Sequence, residues 1–229
     1  MRCVVMQPTY LPWAGYFHLV ASADVFVFLD DVQFEKSSWQ SRNRILVKGE
    51  PHWITVPIKR LGLRQTIREV EINDREKWRK KHVMMLSQTY ARHPCCRQML
   101  DAVEPAIGDG ETTLLAELTM ALIRRVSEGL GLGARFLRAS ETGVQGRRTE
   151  RLVRLCEHLG CDEYLSPAGS REYLEGDGDF ARSTIRLTFQ DYVPATYEQP
   201  GAAGFVSHLS IVDVLSSLGW SGTAEYVRH

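Results

Sequence analysis

Two short apolar runs near the start of the chain, each stopped by residues that cannot extend a strand, constrain the fold more than any other feature. Arg2-Cys3-Val4-Val5-Met6 is rich in β-branched residues and reads as a buried strand. It ends at Gln7-Pro8, because proline has no N–H to give a ladder and biases the preceding residue away from helix. Val25-Phe26-Val27-Phe28-Leu29 is a second such run, cut off by Asp30-Asp31. Two core strands joined by an aromatic, glycine-bearing crossover describe the rim of a parallel α/β sheet. In such sheets ligands lie outside the carboxyl ends of the strands. Gln7, Tyr10, His18, Asp30, Asp31 and Gln33 are therefore expected to converge on one crevice.

Downstream, Arg44–Val47 and Trp53–Ile58 flank the turn cluster Lys48-Gly49-Glu50-Pro51 and predict a hairpin. Ile67–Ile72 alternates apolar and charged residues, the pattern of a half-exposed strand. Asp74 is placed to cap a helix running to about Arg92, where His93-Pro94 ends it; Trp78, His82, Met85, Leu86 and Thr89 form its inner face. A second helix is expected from about Thr112 to Leu130, stopped by Gly131. Ala134–Arg138, Glu163–Ser166 and Ser183–Gln190 read as strands, and Thr149–Leu159 as the helix between the first two. Ser210–Leu218 reads as a closing helix, with Asp213 in capping-box position and Gly219 after it. This alternation predicts a Rossmann-like α/β fold with a parallel sheet core and a small hairpin. It reads as one domain over residues 1–229, with residues 74–131 as an inserted or flanking helical layer.

Bulk properties exclude several classes. Lysine plus arginine equals aspartate plus glutamate, 28 against 28, so no global charge steers the chain to nucleic acid or an anionic membrane. No apolar run approaches the length of a membrane span, and the start lacks a basic segment followed by an apolar one. Five cysteines form no C-x-x-C pair and leave an odd number, which fits reduced thiols in a cytoplasmic protein.

Several residues are candidates for chemistry. Asp30 and Asp31 follow a strand too apolar to be exposed; neighbouring carboxylates there can bind a divalent metal or a ribose, hold an amine, or split into acid and base roles. Side chains alternate, so one of the pair is expected to face the crevice. Arg42-Asn43-Arg44, after Trp39-Gln40, suits an anion, because guanidinium groups match phosphate and carboxylate bidentately and an aromatic neighbour can stack a ring. His82 lies on the apolar face of its helix, where a core histidine is commoner than a catalytic one; it is the reserve general base. The turn Ser166-Pro167-Ala168-Gly169-Ser170 follows a core strand and could offer backbone amides to a ligand. Arg75–Lys81 is a basic run that reads as a solvated helix face, or else as a docking surface for a polyanion such as tRNA or a sugar nucleotide. No zinc-ligand spacing, Walker loop, G-x-S-x-G or G-x-G-x-x-G is present.

Taken together, these strings resemble the WbqC-like protein family, found with bacterial O-antigen and other surface-polysaccharide genes. The resemblance runs through Gln7–His18, Asp30–Phe34, Arg42-Asn43-Arg44, Trp53 with Pro57, and Trp78 with His82. It continues at Leu159-Gly160, Tyr164-Leu165-Ser166, Tyr197-Glu198-Gln199 and Leu209-Ser210 with Asp213. Ser166-Pro167 stands where members typically carry Ser-Gly, and Ser216-Ser217 replaces an aromatic-asparagine pair. The opening is also similar to that of pantothenate synthetases and other HIGH-motif nucleotide-binding proteins. Trp13-Ala14-Gly15-Tyr16 stands at the position of H-x-G-H, without either histidine. That likeness implies a fold and does not by itself carry adenylyl transfer.

The function expected from these readings is group transfer in surface-polysaccharide or related specialised biosynthesis. An acyl or aminoacyl group would pass to the amine of an amino sugar or similar acceptor. Asp30 or Asp31 would position or deprotonate the amine, with His82 in reserve. Gln7, Tyr10, His18, Gln33, Arg42, Asn43, Arg44 and Ser166 would bind substrate. The activated donor, whether acyl, aminoacyl (with tRNA as carrier) or nucleotide, is left open, and no metal site is expected. Two other classes remain: an ATP-dependent nucleotidyl transferase or ligase on a degenerate HIGH-type site, and a non-catalytic nucleotide-sugar-binding module.

Overall fold

The computed structural model describes residues 1–60 and 62–229. Its centre is a five-stranded parallel sheet of β1 (Arg2–Met6), β2 (Val25–Phe28), β5 (Arg135–Arg138), β6 (Glu163–Ser166) and β7 (Arg186–Phe189), in the order β5-β2-β1-β6-β7. Register pairs Cys3 with Val25 on one side of β1 and with Tyr164 on the other. From β1 the chain first builds outward through β2 to β5. It then returns across β1 to β6, so strand order reverses between β1 and β6. An antiparallel hairpin, β3 (Arg42–Val47) and β4 (Glu50–Thr55), forms a separate two-stranded sheet. Its turn uses Lys48 and Gly49, both at positive φ, which the hairpin twist requires.

Alternation along the strands divides the interior in two. Val4, Phe26, Phe28 and Leu165 face a large core shared with α1 (Ala14–Ala21), α2 (Trp78–Thr89), α3 (Cys96–Gly108), α4 (Leu115–Gly129) and α7 (Ile211–Tyr226). Cys3, Val5, Val27 and Tyr164 face a smaller one under α5 (Arg148–His158) and α6 (Arg171–Asp177). This is the α/β Rossmann-like arrangement the strand pattern predicts. Among the described residues no helix is long and apolar enough to cross a membrane.

Local chemistry overrides several sequence expectations. Ile67–Ile72 is not a strand. Thr66 and Glu69 form a capping box, with Thr66 N–H and Oγ1 both donating to Glu69 Oε2 at 2.9 and 2.6 Å. Residues Ile67–Glu69 therefore close into a 3₁₀ turn while Ile67, Val70 and Ile72 stay buried. Asp74 does not cap α2, which starts only at Trp78; its carboxylate takes the Trp78 indole N–H at 2.6 Å and Arg79 Nε at 2.9 Å. Helix α3 was hidden by Pro94 and Pro105, yet Met99, Ala102, Val103 and Ile107 give it a buried face at helical spacing.

Gly219 does not stop α7. It holds φ 64° and ψ −173°, a conformation open in practice to glycine alone, and the chain resumes its helix to Tyr226 after the kink. A Cβ there would sit 2.8 Å from Gln98 Oε1 and 2.9 Å from Cys95 Sγ. Gly219→Ala should therefore cost about 2 kcal/mol or more in urea unfolding. A variant as stable as the parent would show that the kink relaxes freely.

Candidate functional site

The loop after β1 is built around one amide. Asn43, inward-facing on β3, donates Nδ2–H to the carbonyls of Tyr10 (3.2 Å) and Leu11 (2.8 Å), and its Oδ1 accepts the Arg44 N–H at 2.8 Å. This clamp holds Leu11 at φ 44°, an unfavourable backbone for a bulky residue. Gln40 adds a second tie from its Nε2 to Gln7 Oε1 at 2.8 Å, and Tyr16 Oη donates to the Gln7 carbonyl at 3.2 Å. Gly15 is needed because the Trp13 indole lies across α1, where any Cβ on Gly15 would meet the ring at 2.2 Å.

These constraints leave a cavity of about 350 Å³ at the carboxyl end of β1, beside the reversal of strand order. It is lined by Met6, Thr9, Pro12, Trp13, Tyr16, Trp39, Asn43, Arg44 and His208. Such a place, apolar with a few polar atoms, is where open α/β sheets hold ligands. Thr9 Oγ1 and Arg44 Nε are buried without a hydrogen-bond partner among the described residues. Burial pushes the Tyr16 phenol well above its ordinary value, so it stays a neutral donor. His208 stacks on Trp13, with ring centroids 4.6 Å apart at 28°, and adopts φ 58°. Its Nδ1 lies 2.8 Å from Ser207 Oγ, which leaves Nε2 for a ligand. A larger cleft near Lys59, Glu71 and Asp74 has its carboxylates already paired, Glu71 with Lys59 and Asp74 with Arg79, and holds no aromatic ring.

The residues singled out from sequence fall into separate places. Asn43 and Arg44 line the cavity, with Gln7 and Arg42 next to lining residues; Asn43 spends its hydrogen bonds on the loop. Asp30 is buried at the end of β2, accepting the Ser140 N–H at 3.1 Å and Ser140 Oγ–H at 2.7 Å. Asp31 forms a bidentate pair with Arg151 of α5, at 2.9 and 2.6 Å. Neither borders the cavity. Ser166 is buried and, by alternation from Tyr164, faces the α5–α6 side; its Oγ has no partner in the protein. His18 Nδ1 meets Gln190 Nε2 at 2.9 Å and its ring packs on Tyr192, where burial lowers its pKa. Gln33 is exposed and bridges to Thr66. His208 is exposed, at the rim of the cavity. Its only local signal was adjacency to the Leu209-Ser210 string that starts α7. Among the described residues, no group of three or more His, Cys, Asp or Glu side chains is arranged to hold a metal ion.

Tyr10 and His82 form a buried pair behind the cavity, Tyr10 Oη lying 3.0 Å from His82 Nδ1. Burial lowers the His82 pKa from 6.5 to about 4, against the smaller opposing effect of the Thr55 backbone. The ring is therefore neutral in the folded protein, while the unfolded chain takes up its proton near pH 6.5. Stability from this group is complete above that pH and is lost as pH falls through about 4. At about 1.36 kcal/mol per pKa unit the loss reaches roughly 3 kcal/mol. His82→Gln should lower stability at neutral pH and flatten the decline between pH 6.5 and 4 in urea titrations. An acid limb unchanged in slope would assign that proton uptake to another group.

No solved structure matches this chain. An uncharacterized protein of Mycobacterium tuberculosis is 31% identical over all 229 residues, an alignment that covers 98% of that relative. The profile of the WbqC-like protein family matches residues 7–225, which takes in the clamp loop, the hairpin, the α2–α4 layer and the His208 segment. The chain belongs to the WbqC-like protein family.

Proposed function

We propose that this protein is a group-transfer enzyme that holds an activated, anionic donor in the cavity between Trp13, Trp39 and Arg44. It would pass an acyl or aminoacyl group to an amine acceptor. Membership of the family supports a role related to polysaccharide biosynthesis, which makes an amino sugar the natural acceptor. The observation that carries the reading is Arg44. Its guanidinium sits at the cavity wall with Nε buried and, among the described residues, unpartnered; Nη2 makes a long 3.5 Å bond to the His208 carbonyl. Ion pairs among the described residues include neither Arg44 nor Arg42. A charged fork held without a counter-ion invites an anionic ligand.

His208 supplies the proton acceptor in this reading. An amine must lose a proton as it attacks, and an imidazole on the cavity wall is the usual carrier for that step. Thr9 Oγ1, unpartnered beside it, can donate to a developing oxyanion. A non-catalytic binding module is the second reading, favoured by the absence of any carboxylate from the cavity lining.

The test is a mass-spectrometric assay with acyl-CoA, aminoacyl-tRNA and amino-sugar nucleotides as candidate donors and acceptors. His208→Gln should lower turnover by roughly 10²–10⁴-fold with little change in KM. Arg44→Lys keeps the charge but loses the planar fork, so it should mainly raise KM for the donor, by roughly tenfold or more. Ligand-induced stabilisation without product from any pair would favour the binding module.

A further inference from the structure

The hairpin extends the cavity outward in a way that specifies the ligand. Arg42 and Arg44 are two residues apart on β3 and share its outer face, which places them roughly 7 Å apart along the strand. Trp53 on β4 lies opposite Arg44 in the register. The Arg42 guanidinium lies 4.2 Å over the Trp53 ring, the Trp53 and Trp39 rings are 5.1 Å apart, and the Arg44 guanidinium is 5.7 Å from Trp39. Both indoles are exposed, Trp39 by 47% and Trp53 by 41%, although such rings are costly to leave in water. Arg42 Nε, like Arg44 Nε, is buried and unpartnered. A row of cation, ring, ring and cation thus leads out of an aromatic cavity, and among the described residues no carboxylate pairs with either arginine.

Resting on the reading of this cavity as the donor site, we propose that its ligand is a nucleoside diphosphate or a diphosphate-linked conjugate of one. The heterocycle enters the cavity against Trp13 and Trp39, and the two phosphates meet Arg44 and then Arg42. At about 350 Å³ the cavity is near the small end of ligand sites, enough for one ring system with the charged groups projecting out. Stacking on Trp39 and Trp53 tolerates any base or sugar face, while the paired guanidinium forks select charge and its spacing. An extended single-stranded RNA would also find rings and arginines here. The small cavity and the two-arginine length fit a short ligand better.

Titration calorimetry and tryptophan fluorescence on the intact protein test this, with nucleosides, nucleoside monophosphates and nucleoside diphosphates of the four bases. Inorganic pyrophosphate and a ten-nucleotide RNA complete the probe set. Affinity should rise from nucleoside to monophosphate to diphosphate for at least one base, by roughly tenfold or more per phosphate, and pyrophosphate alone should bind far more weakly. Arg42→Ala should shrink the gain from the second phosphate far more than it weakens monophosphate binding. Trp39→Leu should weaken every nucleotide and reduce the fluorescence change. The proposal is overturned if pyrophosphate binds as tightly as the diphosphates, if no nucleotide binds, or if only the RNA binds. Nucleotide binding in the expected order without transfer would sink the enzyme reading alone. Transfer from a donor lacking a nucleotide, with no nucleotide binding, would sink this proposal alone.

Discussion

The buried carboxylate of Asp213 ties together the parts of the molecule that surround the cavity. It lies in the first turn of α7, fully shielded from solvent, and accepts hydrogen bonds from Tyr197 Oη (2.7 Å), Tyr90 Oη (3.0 Å) and Gln199 Nε2 (3.1 Å). Gln199 in turn brackets Val206, accepting its N–H at 2.8 Å and donating to its carbonyl at 2.9 Å. The start of α7 reaches both walls of the site, since Ser210 N–H donates to the Arg44 carbonyl and Ile211 N–H to the Pro12 carbonyl, each at 2.8 Å. A carboxylate far from water is expensive unless its lone pairs are filled. Burial raises the Asp213 pKa despite the three donors, so its ionised form is tolerated rather than favoured by folding. The return is geometric: α2, α7 and the segment from Tyr197 to His208 meet at one point.

Strain is concentrated where that anchoring is densest. Leu11 and His208 are both non-glycine residues at positive φ, and they stand on the two segments that close the cavity. Each is held by a neighbour with no freedom to give way. Asn43 grips the carbonyl of Leu11, while the Trp13 ring lies against His208. A cavity with walls fixed in this way loses little entropy on binding, which suits an aromatic ligand that needs planar contacts.

The sequence made the sheet legible because strands covered on both faces are apolar at successive positions and their ends are abrupt. Arg2–Met6 and Val25–Phe28 carry that signal, and Glu163–Ser166 carries it only at Tyr164 and Leu165. Partnership was not legible. Asp30 and Asp31 looked like free carboxylates at an open strand end, yet their partners, Ser140 and Arg151, lie 110 and 120 residues away. Residue type shows what a side chain can do, and only the fold shows what already occupies it. Arg42-Asn43-Arg44 was legible as an arginine cluster with an aromatic neighbour, while the strand expected to start at Arg44 starts at Arg42. Its division of labour, two guanidinium groups outward and an amide inward, follows from alternation alone. His208 was invisible because its importance depends on the Trp13 face beneath it, and nothing local to residues 205–210 announces that contact.

The contrast between the two kinds of charge at the sheet edge explains why the candidate site is cationic in a chain with no net charge. The carboxylates at the strand ends are each consumed by a neighbour, Asp30 by a backbone turn and Asp31 by a fork. The two hairpin arginines are stabilised by indole faces instead. A salt bridge would occupy the N–H edge of the guanidinium, the edge that recognises an anion. A cation–π contact engages the flat face and leaves the N–H groups free of a carboxylate. Trp39 and Trp53 therefore orient the forks without pairing them to a carboxylate, which is the ordering the proposed anionic ligand would need.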